Sequence, residues 1–197
     1  TAKMWNISTG LEVKTFTGHS DNVYSVFVSG DYLFTGSWDD TAKMWDVSTG
    51  AEVRTFTHSG NVRSVFVSGG FLFTGSDDYT AKMWDISTGN EVKVFTGHGL
   101  YVMCVFVSGN SLFTGSYDQT AKMWDISTGA YVKTFSHSGV VTSVFVSGDY
   151  LFTGSFDTTA KMWDISTGAV VKTFTGHNGN VLSVFVSGDF LFTAGDT

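Results

Sequence analysis

Thr41-Ala42-Lys43-Met44-Trp45-Asp46 recurs through the chain, and its recurrence decides the fold. The same six residues start again at Thr80, Thr120 and Thr159, and at Thr1 with Asn6 in the Asp place. The starts lie 40, 39, 40 and 39 residues apart, and 39 residues run from Thr159 to the end, so the 197 residues are five repeats. A period of this length marks a stacked repeat architecture. One unit is too small to bury its own apolar faces, so residues 1–197 are expected to form a single domain.

Outward from the phrase, each unit breaks into four short apolar runs separated by turn residues. In the first full cycle the runs are Asn22 to Ser29, Tyr32 to Ser37, Thr41 to Asp46 and Glu52 to Thr57. Gly30-Asp31, Trp38-Asp39-Asp40 and Ser48-Thr49-Gly50 stand between them. Runs of this length with turn signals about ten residues apart predict an all-β array. No segment has a helical apolar period. The run from Asn22 carries apolar residues on both faces (Val23 and Phe27; Tyr24, Val26 and Val28), so it needs cover on both sides.

Composition narrows the function. Apolar residues make up 42% of the chain, enough for a sizeable core. Pro is absent, so the 23 Gly must supply the turns. A net charge of −7 argues against nucleic acid and against an acidic membrane surface. No run is long and apolar enough to span a membrane, and no signal peptide is visible. Cys104 has no second cysteine to pair with, which allows a reducing compartment. The expected location is the cytoplasm. Because the chain opens on Thr, it is expected to be a fragment or a processed form, with flanks that would carry any targeting.

The frame Gly-His, then Val-x-Ser-Val, then Gly-Ser-x-Asp-x-Thr, then Lys-x-Trp-Asp resembles the WD-repeat β-propeller family over the whole chain. The resemblance implies four-stranded antiparallel blades around a central channel. Near-identical units suggest a recently amplified or engineered array. Two departures stand out. Five repeats are fewer than the family usually has, and Ala194-Gly195-Asp196-Thr197 is a degraded, shortened copy of the turn Gly-Ser-x-Asp-x. The phrase Asp196-Thr197 followed by Thr1-Ala2-Lys3-Met4-Trp5 matches Asp157-Thr158-Thr159-Ala160-Lys161-Met162-Trp163. The chain therefore begins with strands c and d of a blade and ends with strands a and b. The predicted fold is a five-bladed propeller whose ring is closed by this composite blade, as a monomer. The rival is an open arc whose half-blades pair head to tail with another chain.

Four full units each supply a His, Ser, Asp and Trp: His19, Ser37, Asp39 and Trp45; His58, Ser76, Asp78 and Trp84; His98, Ser116, Asp118 and Trp124; His137, Ser155, Asp157 and Trp163. The residue types suggest a hydrolase triad, but a triad needs one strained nucleophile with an oxyanion hole, and four equivalent copies read as scaffold. The family resemblance implies that each set forms a hydrogen-bonded chain inside its blade. The fifth set keeps His177, Asp196 and Trp5 but has Gly195 near the Ser place, so the closing blade is expected to be the weakest. The His residues are about 39 apart with no second ligand nearby, so no metal and no cofactor are expected. Cys104 stands where the other units have Ser, and reads as a small buried residue. Asn6-Ile7-Ser8 is a lone sequon. The recurring Lys and Glu of the third and fourth runs read as solvated blade edges.

The repeats differ where strand a begins and strand b ends, points that an antiparallel blade brings to one rim. There stand Tyr24, Arg63, Met103, Thr142 and Leu182; Trp38, Asp77, Tyr117 and Phe156; and Tyr79 and Tyr101. The other rim is nearly constant. Drift at exposed loops favours small polar residues, whereas this set is rich in aromatics with an Arg, the types that interface cores enrich. The expected function is a non-enzymatic scaffold that docks a protein or peptide on this top face. A glycan-binding propeller and a purely structural or engineered repeat protein without ligand are the alternatives.

Overall fold

The computed structural model describes residues 1–196. It holds twenty strands and, among the described residues, no helix. A hairpin of β1 (Ala2–Trp5) and β2 (Glu12–Phe16) comes first. Four complete blades follow: β3 (Val23–Ser29) to β6 (Glu52–Thr57) through β4 (Tyr32–Ser37) and β5 (Thr41–Asp46); β7 (Val62–Ser68), β8 (Phe71–Ser76), β9 (Ala81–Asp85) and β10 (Glu91–Phe95); β11 (Val102–Ser108), β12 (Ser111–Ser116), β13 (Thr120–Asp125) and β14 (Tyr131–Ser136); β15 (Val141–Ser147), β16 (Tyr150–Ser155), β17 (Ala160–Asp164) and β18 (Val170–Phe174). A second hairpin, β19 (Val181–Ser187) and β20 (Phe190–Gly195), ends the chain. Within each blade the strands lie in sequence order and antiparallel.

The core lies between blades. Phe34, Ala42, Met44 and Phe56 of one blade pack on Val62, Val65, Leu72 and Trp84 of the next. The same arrangement recurs between the second and third blades, with Phe73, Ala81, Met83 and Phe95 against Val102, Val105, Leu112 and Trp124. This is why both faces of the strands are apolar. Gly36 shows how closely the sheets approach: a Cβ there would stand 3.0 Å from Val62 Cγ1 and 3.1 Å from the Val62 carbonyl oxygen.

Three kinds of contact recur at the junctions. The rings of Phe27, Phe66, Phe106, Phe145 and Phe185 follow one another at 4.8, 5.0, 5.1 and 4.9 Å between centroids. The Oγ of Ser25, Ser64 and Ser143 accepts the N–H of Val65, Val105 and Val184 in the next blade, at 3.0, 3.1 and 3.1 Å. On the outer strand Arg54 and Lys93 donate to carbonyls of the following blade's Ser-Thr-Gly turn, Arg54 to Thr88 (2.6 Å) and Lys93 to Ser127 (2.6 Å). Lys14 and Lys133 do the same to Ser48 and Ser166. These bases are therefore latches between blades and not merely solvated edges, because a turn carbonyl with no sheet partner is a ready acceptor.

The all-β, repeated-blade architecture matches the sequence expectation. Among the described residues the two halves of the expected composite blade are two hairpins, β1 paired with β2 and β20 with β19, each a two-stranded sheet. The half-blade side chains accordingly stay open. Trp5 is 55% exposed where Trp45 is 1%, and Phe192 is 57% exposed where Phe34 is 1%.

Candidate functional site

Two irregularities in each blade set the rim. The first is a β-bulge near the start of strand a: Val23 pairs with Ser37 and Ser25 with Gly36, leaving Tyr24 as the extra residue. Arg63, Met103, Thr142 and Leu182 occupy the same bulge in the other units. A bulge re-aims its side chain without ending the strand. The second is the turn from b to c, where Asp40, Tyr79, Gln119 and Thr158 take positive φ of 65°, 71°, 71° and 67°. Backbone hydrogen bonds join the two, as in Trp38 N–H to Asn22 C=O at 3.0 Å and Tyr117 N–H to Tyr101 C=O at 2.9 Å. The diversified columns thus meet at one end of every blade.

Left-handed backbone at a β-branched residue is strained by about 1–3 kcal/mol. Thr158→Gly is therefore expected to raise stability by about 0.5–1 kcal/mol, the relief exceeding the extra unfolded-chain entropy that Gly brings. Denaturant titration reads the change; a loss of stability would show that Thr158 makes contacts that outweigh the strain.

Across the first three blades the rim side chains form one connected band. Tyr24 stacks on Trp38, centroids 4.4 Å apart and planes 11° from parallel. The Arg63 guanidinium lies between Trp38 and Tyr101, at 5.5 and 5.4 Å from the ring centres. Asp77 holds it, through Nη2 to Oδ2 at 2.8 Å and a second bond from Nε. Tyr101 also meets Tyr79 at 5.7 Å and Tyr117 at 5.8 Å. Tyr24, Tyr79, Tyr101 and Tyr117 remain exposed. The indole N–H of Trp38 is buried with no acceptor among the described residues.

The rest of the predicted rim does not join this band. Met103 and Phe156 are half-buried, and Leu182 is exposed on the terminal hairpin. Thr142 turns inward, its hydroxyl donating to the Val181 carbonyl at 2.6 Å across the blade junction. It is thus a junction residue.

The buried relays correct one member of each predicted tetrad. Trp45 Nε1–H donates to Thr35 Oγ1 at 2.9 Å, Thr35 bonds His19 Nε2 at 2.7 Å, and His19 Nδ1 bonds Asp39 Oδ2 at 2.8 Å. The same chain runs Trp84–Thr74–His58–Asp78, Trp124–Thr114–His98–Asp118 and Trp163–Thr153–His137–Asp157. The hydroxyl is Thr, not Ser. Ser37, Ser76, Ser116 and Ser155 instead accept the backbone N–H of the turn Asp at 3.1–3.2 Å. Both hydroxyls lie on one face of strand b, two residues apart, but only the deeper reaches the indole. The signal was present: Thr stands ten residues before Trp in every full unit.

Electrostatics fix the relay's protons. Burial pushes His19 and His137 below the ordinary imidazole range, against the pull of Asp39 and Asp157. Burial opposes ionisation of Asp39 too, but hydrogen bonds from Thr41, His19 and the Ser20 N–H bring its carboxyl down to about 2. Asp78, Asp118 and Asp157 are likewise held well below the carboxylate range by their His and Thr partners despite burial. A neutral imidazole donating from Nδ1 to a carboxylate and accepting at Nε2 satisfies every polar group. The Thr hydroxyls are fully buried, so the relay presents no nucleophile to a substrate. In the terminal hairpin the relay is represented, among the described residues, by His177 Nε2 to Thr193 Oγ1 at 2.8 Å.

Burial raises the Cys104 thiol to about 12, which leaves it protonated at neutral pH. Asn6 accepts from the N–H groups of Ser8 and Thr9 at 3.0 and 2.9 Å, so the sequon asparagine is the cap of its own turn. Among the described residues there is no cluster of three metal-ligating side chains, and no helix long and apolar enough to cross a membrane.

Comparison with known proteins places this geometry. The family described as WD domain, G-beta repeat matches residues 10–46, 50–85, 89–125, 129–164 and 168–197. The crystal structure of a computationally designed protein, Ika8, is similar at a TM-score of 0.88 and 28% identity over 98% of this chain. This chain spans 61% of that protein's length. No curated protein matches the chain.

Proposed function

From the premise that the chain belongs to the WD domain, G-beta repeat family, we propose that it is a non-enzymatic scaffold that docks a protein or peptide on its top face. The observation that carries this reading is the band Tyr24–Trp38–Arg63–Tyr101–Tyr117, continuous over three blades and exposed at its tyrosines. Rigid aromatics around an Arg already held by Asp77 lose little side-chain freedom on binding.

Two readings compete with it. A glycan needs open aromatic faces, and the Trp38 face is already covered by Tyr24, which weighs against sugar stacking. Likeness to a designed protein favours a repeat scaffold with no ligand at all. Panning a displayed random-peptide library on the chain separates them. Peptides should be selected whose binding weakens at least tenfold in the Trp38→Ala/Tyr117→Ala double variant, with the far-ultraviolet circular dichroism unchanged. No selected peptide, or binding indifferent to both substitutions, would sink the proposal; glycan-array binding would promote the sugar reading.

A further inference from the structure

The aromatic band lies at an end of the blades that is nearly without cations. The chain has eleven Lys and Arg. Five stand at the place of Lys43 in strand c and five at the place of Lys14 in strand d, which leaves Arg63 as the one at the top rim. The strand d bases reach away from this end: Lys14, Arg54, Lys93 and Lys133 donate to turns of the opposite rim. On strand c, Lys43 and Lys82 pair with Glu52 and Glu91 at 2.9 and 2.8 Å. Arg63 makes two bonds to Asp77, so its charge is cancelled within the chain.

Carboxylates, by contrast, gather there. Asp21, Asp39, Asp40, Asp77, Asp78 and Asp118 stand in the loops at the top of the first three full blades. Hydrogen bonds keep Asp39, Asp78 and Asp118 ionised against burial. The relay is satisfied with a neutral imidazole, so it leaves each of these charges uncancelled. Partly buried charges are also screened less by salt than solvated ones. The rings add a second, independent preference, because an aromatic face attracts a cation. The band already shows this with its own Arg63, 5.5 Å from the Trp38 ring centre and 5.4 Å from that of Tyr101. Tyr79 and Tyr117 flank Tyr101 at 5.7 and 5.8 Å and are exposed. Among the described residues no Lys or Arg lies over either of them.

We propose that the occupant of this face is a basic peptide segment, with a Lys or Arg side chain seated over Tyr79 and Tyr117 beside Tyr101. The inference rests on the docking reading above and gives its partner a charge. An acidic segment would meet six carboxylates and find its one counter-ion already bound. The band runs on from Tyr101 to Tyr24 two blades away, so a further base in an extended segment would face Asp21 and Asp40. These two lie in the loops that the Trp38 N–H joins by its bond to the Asn22 carbonyl. Complementary charge of this kind speeds encounter and rejects partners of the wrong sign.

Peptides selected by panning on the intact chain provide the test. They are resynthesised with every Lys acetylated and every Arg replaced by citrulline, which keeps length and removes charge. The selected peptides should be rich in Lys and Arg, and fluorescence anisotropy should find the neutralised forms about tenfold weaker. Raising NaCl from about 50 mM to about 500 mM should weaken the charged forms by about the same factor. Asp21→Asn/Asp40→Asn removes two charges and leaves every ring. Asn can accept the Asn22 N–H as Asp21 does, and it tolerates the positive φ of 65° at residue 40, so the fold should stand. Basic peptides should bind this variant about fivefold more weakly. Neutral or acidic selected peptides, neutralised forms that bind as well, or unchanged binding by the Asn variant would overturn the inference. The docking surface would still stand if Trp38→Ala/Tyr117→Ala abolished that binding. Basic peptides indifferent to the two aromatic substitutions would overturn it as well, since charge would then act away from the band. No selected peptide at all would remove both readings.

Discussion

Trp124→Ala should cost about 3–5 kcal/mol of stability, the upper range for a single truncation. The indole is 2% exposed and meets Phe95 and His98 edge to face at 6.0 Å each. Two effects are lost together, burial and the bond to Thr114. Trp124→Phe separates them. It keeps most of the apolar area and removes only the N–H, so it should cost about 1–2 kcal/mol. If both variants lost the same amount, the hydrogen bond would outweigh the burial, contrary to the magnitudes. The damage should be read by hydrogen exchange as well as by denaturant. In a repeat array a unit contacts its neighbours alone, so protection should fall most in the third blade and its two junctions.

Thr114→Val should cost about 2–5 kcal/mol although the shape of the side chain barely changes. Thr114 accepts from Trp124 at 2.9 Å and donates to His98 at 2.7 Å. Valine leaves a buried indole N–H and a buried imidazole nitrogen unpaired, at about 1–3 kcal/mol each. Ser116→Ala is the control. That hydroxyl serves the Asp118 N–H and the Leu100 carbonyl near the turn, and its loss should cost about 1 kcal/mol. Equilibrium unfolding of the pair decides whether the relay runs through Thr. A larger loss for Ser116→Ala would restore the Ser to the relay and remove the Thr.

Strand positions and turns were legible because the period repeats them, and each run of the first cycle became a strand within a residue or so of its expected limits. The rim was legible as a set of disagreeing columns. Its bulge and its positive φ were not, since Tyr24, Arg63 and Met103 share no turn chemistry. The relay hydroxyl was misread because Ser37 and Thr35 are equally constant and chemically alike; only depth in the blade separates them. The Lys and Arg latches were invisible for another reason. Their acceptors are backbone carbonyls 34 residues on, and a carbonyl leaves no mark in sequence. Closure was not legible in the sequence, because the edges of β1 and β20 match equally well within a chain and between chains. Curvature decides between these, and it arises from packing at the junctions.

Those junctions have a grammar. After the first and second full blades the earlier blade offers a Ser oxygen inside and a cationic reach outside, and the later blade answers with an N–H and turn carbonyls; after the third, Cys104 stands in the Ser place. These units therefore have an unlike front and back, and the back of one suits the front of the other. A duplicated repeat can enter between two existing ones without a new interface being invented. Growth by copying is thus as easy in the middle of the array as at its ends.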